Sequence, residues 1–107
     1  MTHVTYGDNI FKDLGFEDHE ELRIKAHLVF ALQQTATKRK YTQTRIAEIC
    51  GTDQPTISKL FRGRLDLVSI ERLISWLLKL DYDIEVLVKE RRPDSDVERC
   101  KVTMCPC

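Results

Sequence analysis

Apolar residues recur every three or four positions along much of the chain, the spacing of helices that bury one face. The first stripe predicts a helix from Asp18 to about Lys38 with these apolar positions: Leu22, Ala26, Val29, Leu32 and Ala36. The basic run from Lys38 to Lys40 suits the C-terminal end of that helix, where cations interact favourably with the helix dipole.

Two short helices are predicted next. Thr42 is a good N-cap for a helix over 42–50, whose inward residues would be Ile46, Ala47 and Cys50. Gly51 would end it with a positive φ. Asp53 can cap a third helix over 53–62, with Pro55 in the first turn, Ile57, Leu60 and Phe61 on the apolar side and Gly63 as its stop.

Ser69 opens a fourth predicted helix, whose apolar residues are Ile70, Leu73, Ile74, Leu77 and Leu80, with Trp76 on its flank as a core or dimer residue. The period then changes to two at Tyr82, Ile84, Val86 and Val88, which predicts a half-buried strand within residues 81–90. That strand needs a partner, either an extended stretch at Asn9-Ile10-Phe11 or the same strand of a second subunit.

A mainly α domain of four to five helices over residues 18–80 follows from these elements, with one C-terminal strand at 81–90. Residues 1–17 are predicted to be an N-terminal arm, and the polar, aperiodic residues 91–107 a flexible tail. No apolar run approaches the length of a membrane span, and the first ten residues lack the order of a signal peptide. We therefore expect a cytoplasmic protein without membrane contact.

Charge is balanced overall but unevenly distributed. The 17 basic and 17 acidic residues give a formal net charge of zero. Residues 38–64 nevertheless hold seven basic and two acidic side chains, a net charge of +5, between two mildly acidic segments. A basic segment of this kind favours contact with phosphate, although Lys38-Arg39-Lys40 by itself could equally be a solvated helix end.

Two short helices joined by a glycine turn have the spacing of a helix-turn-helix, whose second helix enters the major groove of DNA. The sequence resembles the Cro/phage-repressor (XRE) helix-turn-helix family, with a lambda-repressor-like fold, over roughly residues 20–80. The residues that carry the resemblance are Thr42-Gln43, Ile46-Ala47, Gly51-Thr52, Gln54-Pro55-Thr56-Ile57-Ser58 and Leu60 with Gly63.

The resemblance implies roles for individual residues. Gln54, Pro55, Thr56 and Lys59 would face the bases, because glutamine suits adenine, lysine suits guanine and threonine suits a polar edge or a thymine methyl. Pro55 replaces a polar residue common in the family and would offer apolar contact. The predicted phosphate contacts are Gln43, Arg45, Ser58, Arg62, Arg64 and Lys38, of which Arg45 stands where the family often has an acidic residue.

A narrower resemblance is to HigA-type antitoxin regulators. It rests on Phe11-x-Asp13-Leu14-Gly15-Phe16, Glu21-Leu22, Lys25-Ala26 and Leu80-Asp81-Tyr82-Asp83-Ile84-Glu85-Val86. It implies a repressor that also neutralises a small ribonuclease toxin. The unpaired strand and the short footprint of one helix-turn-helix separately predict a homodimer, paired through Tyr82, Ile84, Val86 and Val88, on a palindromic operator in double-stranded DNA. The alternatives are a stand-alone regulator without a toxin and a protein-interaction module that has lost DNA binding.

Other chemistry finds little support in the sequence. No nucleophile, acid–base or phosphate-loop motif is visible, so no enzyme activity and no cofactor are expected. The three histidines lack ligand spacing. Cys100, Cys105 and Cys107 match no closed zinc site, so no metal is expected, and Cys50 is predicted to be a small buried apolar residue.

Overall fold

Four α-helices follow one another in the computed structural model, which describes residues 18–94 and 102–103. They are α1 (Asp18–Arg39), α2 (Gln43–Cys50), α3 (Gln54–Phe61) and α4 (Ile70–Lys79), and one 3₁₀ turn, Leu65–Leu67, lies between α3 and α4. The mainly α architecture and the four predicted helices are confirmed. None of the described helices is both long enough and apolar enough to cross a membrane.

Side-chain caps define where α2, α3 and α4 begin. Thr42, Asp53 and Ser69 all have extended backbone, and each accepts a hydrogen bond from the backbone N–H three residues later, at 2.8 to 3.2 Å. These bonds satisfy backbone donors that a helix cannot satisfy internally. The three caps predicted from the sequence are therefore present.

Glycines close the two short helices. Gly51 has φ 77° and ψ 32°, a left-handed conformation that costs glycine little, and Thr52 N–H then donates to the Ala47 carbonyl at 2.9 Å. Gly63, at φ 103°, follows α3 in the same way. The tight turn at Gly51 brings α3 back against α2, and the turn at Gly63 leads from α3 to the 3₁₀ turn.

One apolar core joins the four helices. Its most deeply buried members are Leu32 from α1, Ile46 from α2, Ile57 and Leu60 from α3, and Leu73 from α4, each no more than 1% exposed. Trp76 is also buried in this core. Helix α1 packs against α3, α4 and the 3₁₀ turn, and α2 packs against α3 and α4.

The orientation of α1 differs from the predicted one. Leu22 is 46% exposed and Ala26 is exposed, whereas Lys25, Leu28 and Thr35 are buried. Val29 and Leu32 are buried as predicted, but a helix turns by about 100° per residue, and the buried arc is centred between Leu28 and Leu32. Leu22 and Ala26 therefore lie outside this arc, on the outer face of α1. Lys25 can occupy the arc because its aliphatic stem packs inward while its ammonium group lies 3.8 Å from Glu21 Oε1.

The predicted C-terminal strand is not confirmed. Within the described ranges no residue is in a strand, and residues 82–92 have no regular secondary structure. A strand needs a partner for its backbone groups, and the described part of this single chain supplies none. Tyr82 and Ile84 are half-buried against the chain's own core, whereas Val86 and Val88 are 71% and 76% exposed.

Several predicted features lie outside the described residues: the N-terminal arm with Asn9-Ile10-Phe11, the Phe11 to Phe16 segment, and Cys100, Cys105 and Cys107. Within the segment predicted to be a flexible tail, Val102 is half-buried against the core, and its N–H donates to His27 Nδ1 at 3.2 Å. This contact places Val102 beside α1.

Candidate nucleic-acid interface

Helix α3 presents one apolar and one polar face. Ile57 and Leu60 are 0% and 1% exposed on its inward side. Gln54, Pro55 and Lys59 are exposed on the outward side. Since the inward residues fix the rotation of the helix about its axis, the outward residues are held in one orientation relative to the domain.

The rest of the predicted base-reading and phosphate-binding residues on α3 lie near that face. Ser58 follows Gln54 by four positions and is half-buried, and Arg62 directly follows the helix and is exposed. Thr56 is half-buried at the side of the helix, and its N–H donates to Asp53 Oδ1 at 2.8 Å. The structure thus brings Gln54, Pro55, Ser58, Lys59 and Arg62 together and leaves Thr56 at the margin.

A side-chain hydrogen bond joins the first residues of α2 and α3. Gln54 Nε2 donates to Gln43 Oε1 at 2.8 Å on the exposed side of the pair. This bond uses one N–H of Gln54 and the Gln43 carbonyl oxygen, so the amide nitrogen of Gln43 can still donate to another group. The two helix N-termini and their amides therefore form one polar surface.

Exposed basic side chains lie on α2, on α3 and in the segment after α3, and acidic neighbours contact two of them. Arg64 holds Asp66 with two bonds, Nε to Oδ1 at 3.1 Å and Nη2 to Oδ2 at 3.2 Å. Their hydrogen bond lowers the pKa of Asp66 and raises that of Arg64. Arg45 Nη1 lies 3.8 Å from Glu48 Oε1 in a second exposed pair.

Lys38, Lys59 and Arg62 are exposed as well. Lys38 lies in the last turn of α1, four positions before Thr42, the cap of α2. The basic segment predicted from the sequence therefore follows the chain from the end of α1 through both short helices.

The cap of α3 is an ionised carboxylate. Hydrogen bonds from Thr56, first from its side chain and then from its backbone, lower the pKa of Asp53 below the ordinary 3.8. A negative charge at a helix N-terminus also interacts favourably with the helix dipole. Asp53 is fully exposed, so its effect is confined to the start of α3.

Cys50 has no role at the polar surface. Burial raises the pKa of its thiol to about 11, so the thiol is protonated at neutral pH. Its backbone carbonyl accepts a hydrogen bond from Lys79 Nζ at 3.3 Å, which ties the C-terminal end of α2 to α4. As predicted, the side chain is a small buried residue.

Sequence reasoning missed two of these contacts. The Gln43–Gln54 bond joins residues 11 positions apart, and the Lys79 bond to Cys50 joins residues 29 positions apart. A signal for the first was present, because both glutamines directly follow a capping residue and the two helices are adjacent. No periodicity signals the second, since Lys79 is exposed at the end of α4.

Comparison with known proteins agrees with this geometry. A family model described as a helix-turn-helix domain matches residues 10–89. A solved structure named as an XRE-family transcriptional regulator is similar over 83% of this chain and 100% of its own, with 29% sequence identity and a TM-score of 0.75. No curated protein matches the chain.

The titration of Asp53 gives a testable pH dependence. Because its pKa is lowered in the folded state, its stabilising effect is complete above the unfolded pKa, about 3.9, and is lost as pH falls through the folded value. Asn caps about as well as Asp but does not titrate. Between about pH 5 and pH 2, the wild type should lose unfolding free energy relative to Asp53→Asn.

Urea unfolding of both proteins across that range measures the difference. All other titrating groups, Asp66 included, are shared and cancel in the comparison. Asp53→Ala, which has no cap, should be less stable than Asp53→Asn at every pH. A difference between wild type and Asp53→Asn that does not change with pH would show that Asp53 does not cap α3 as a carboxylate.

Proposed function

Because the chain belongs to the helix-turn-helix domain family and is a DNA-binding transcriptional regulator of the XRE type, we propose that it acts as a repressor with α3 as the reading helix. The observation that carries the proposal is the division of α3 between a fully buried inner face, with Ile57 and Leu60, and an exposed outer face, with Gln54 and Lys59. A reading helix needs this arrangement, since base edges are recognised only by side chains held in a fixed direction.

Three exposed side chains are proposed to read bases. Gln54 can bond N6 and N7 of adenine, Lys59 can bond O6 and N7 of guanine, and the ring of Pro55 can contact a thymine methyl. Thr56 is half-buried, so we place it at the edge of this set, where it meets either the groove wall or a methyl group.

The bond between Gln43 and Gln54 supports a link between phosphate contact and base reading. Gln43 is the first residue of α2, where backbone N–H groups attract a phosphate. Its amide nitrogen would donate to that phosphate while its oxygen orients the Gln54 amide at 2.8 Å. Gln43, in contact with a DNA phosphate, would thereby fix the orientation of Gln54, which reads a base.

The remaining cations are proposed to set the register on the duplex through phosphates. Arg62 and Lys38 are exposed and suited to this directly. Arg45 and Arg64 would have to share their charge with Glu48 and Asp66, so we expect them to contribute less than their number suggests. Ser58 is half-buried on α3, and its hydroxyl can donate a hydrogen bond to a phosphate.

Homodimerisation is proposed to pair two such domains on a palindrome. One reading helix covers only a few base pairs, and two heads about 34 Å apart cover two half-sites. Val86 and Val88 are more than two-thirds exposed, and none of the described residues around them is in a strand. Antiparallel pairing with a second copy would satisfy that backbone and is self-complementary. Tyr82 and Ile84 instead contact their own chain, so the pairing would begin after Ile84.

A toxin partner, as in HigA-type antitoxins, is proposed as the finer role, with a stand-alone regulator as the alternative. The observation that favours a protein partner is the outer face of α1, where Leu22 is 46% and Phe30 is 54% exposed, with Ala26 between them. These positions are four apart, so they form one apolar stripe on the side away from the core.

Base reading and phosphate binding can be separated by substitution. Gln54→Ala and Lys59→Ala should reduce the preference for the operator over random DNA by roughly 5- to 150-fold, since a good base contact is worth about 1–3 kcal/mol. Arg62→Ala should weaken binding to every sequence alike and reduce the salt slope by roughly one.

Fluorescence anisotropy on an operator selected from random duplexes, repeated at several salt concentrations, measures both effects. If Gln54→Ala and Lys59→Ala keep the wild-type preference, α3 is not the reading helix. If the salt slope of Arg62→Ala equals that of the wild type, Arg62 does not contact phosphate.

The dimer surface is tested at Val86. Val86→Pro removes a backbone donor and should give a monomer with intact helices and greatly reduced operator affinity, because each half-site alone is short. Val86→Thr, which keeps the N–H and the β-branch, should remain a dimer. Sedimentation velocity and circular dichroism distinguish these outcomes, and a Val86→Pro dimer that binds normally would place the interface elsewhere.

The toxin is tested with the neighbouring genes. A small basic reading frame beside this one should inhibit growth when expressed alone, and co-expression of this protein should restore growth. Phe30→Glu should abolish that rescue and leave operator binding unchanged, whereas Gln34→Glu, the same charge one turn further along α1, should retain both. If no adjacent frame inhibits growth, the stand-alone regulator is the correct alternative.

A further inference from the structure

The turn after α4 is fastened to the C-terminal half of α1 by Tyr82. Its phenol oxygen is hydrogen-bonded to Thr35 Oγ1 at 2.7 Å, and Oγ1 of this fully buried threonine is also hydrogen-bonded to the Ala31 carbonyl at 2.8 Å. Since Thr35 has a single hydroxyl proton to donate to Ala31, the Tyr82 hydroxyl donates to Thr35. The Arg39 guanidinium lies over the Tyr82 ring, 4.8 Å from its centroid. We refer to Thr35, Arg39 and Tyr82 as the Tyr82 clasp.

The backbone on either side of the ring is held as well. Arg39 Nη1 donates to the Leu80 carbonyl, and Tyr82 N–H donates to the Leu77 carbonyl at 3.1 Å. Asp81 between them has a left-handed conformation, φ 67°, which reverses the chain at the end of α4. Hydrogen bonds and ring stacking are directional, so they define the direction in which the chain leaves Tyr82.

The clasp connects the two parts of the molecule to which we assign function. Arg39 ends α1, three residues before Thr42, the cap of α2. Tyr82 lies four residues before Val86, where the exposed segment proposed to pair with a second copy begins. Between them Ile84 packs on the core through apolar contacts, which lack the directionality of the clasp.

We propose that the Tyr82 clasp sets the distance and the rotation between the two reading heads of the dimer, and so selects the spacing of the two operator half-sites. This inference rests on the proposed function, since it requires a dimer paired through Val86 and Val88. Tyr82 is then a positioning residue, which determines specificity without touching DNA.

The contacts of Tyr82 and the geometry of DNA support a measurable effect. If the Tyr82 side chain is lost, the backbone N–H groups of Asp81 and of residue 82 still donate to carbonyls of α4. The bond to Thr35 and the contact with Arg39 then no longer fix residue 82 against α1. One added base pair moves a half-site by about 3.4 Å and rotates it by roughly 35°. A linker fixed against α1 resists this rotation, whereas a linker held only at the end of α4 and by the apolar contact of Ile84 can turn with the half-site.

The experiment uses the full chain and duplexes whose two half-sites are separated by the selected spacer or by one or two base pairs more or fewer. The wild type should lose affinity by roughly 5- to 100-fold for a change of one base pair, as it would on losing a base contact. Tyr82→Ala should lose less than about threefold over the same series while remaining a dimer in sedimentation. Tyr82→Phe, which keeps the ring under Arg39, should lie between them.

Tyr41→Phe is the matched control, because Tyr41 is also half-buried against the core but lies outside the clasp. Its spacing preference should equal that of the wild type. Binding to a single half-site should be the same for all four proteins, since none of these substitutions touches α3. If Tyr82→Ala does not fold, Tyr82→Phe is measured on the same duplexes, and its spacing preference tests the role of the clasp.

The outcomes separate this inference from the proposed function. A dimeric Tyr82→Phe or Tyr82→Ala with the sharp wild-type spacing optimum would overturn the clasp's role and leave the repressor intact. A monomeric Tyr82→Phe would also overturn it, because the clasp would then serve dimer formation itself. A wild type that is monomeric or indifferent to spacing would overturn both the dimer and the clasp.

Discussion

A helix of eight residues is too short to be stable by itself in water, and α3 exists because its neighbours hold it. Ile57 and Leu60 are buried in the core that the four helices share. The Asp53 carboxylate caps the first turn of α3, and Gly63 adopts the positive φ that ends the helix. The same burial that stabilises the helix also selects which of its side chains face outward. The burial of Ile57 and Leu60 therefore contributes to the stability of α3 and also determines the direction of its polar face.

Much of this arrangement could be predicted from the sequence because local signals determine it. Caps at Thr42, Asp53 and Ser69 and the turn at Gly51 act within four or five residues, and each is where the sequence indicates. The rotation of α1 could not be predicted in the same way. Lys25 can lie in the buried arc because its aliphatic stem packs inward and its ammonium group lies near Glu21. A search for apolar residues alone does not detect such a lysine, and it places Leu22 in the core instead.

The C-terminal segment shows a second limit. The alternation of apolar residues from Tyr82 to Val88 predicts a strand. A strand also requires a second strand to which its backbone is hydrogen-bonded, and that second strand need not belong to the same chain. Contacts across the fold, such as Gln43 with Gln54 and Thr35 with Tyr82, leave no periodic trace at all. For the candidate interface, the sequence was enough to infer the residue types and the outward face of α3. The hydrogen bond between Gln43 and Gln54 could be found only in the three-dimensional structure.

Burial of Cys50 has a consequence for how motion in this domain can be followed. A thiol reacts as its thiolate, and here it is both enclosed and shifted to a pKa of about 11. Alkylating reagents can therefore reach the thiol only when α2 separates from α3 and α4. The same opening would break the hydrogen bond between Gln43 and Gln54 at the N-termini of α2 and α3. The alkylation rate of the Cys50 sulfur therefore reports how often α2 separates from its neighbours. If a duplex binds across α2 and α3, that rate should fall.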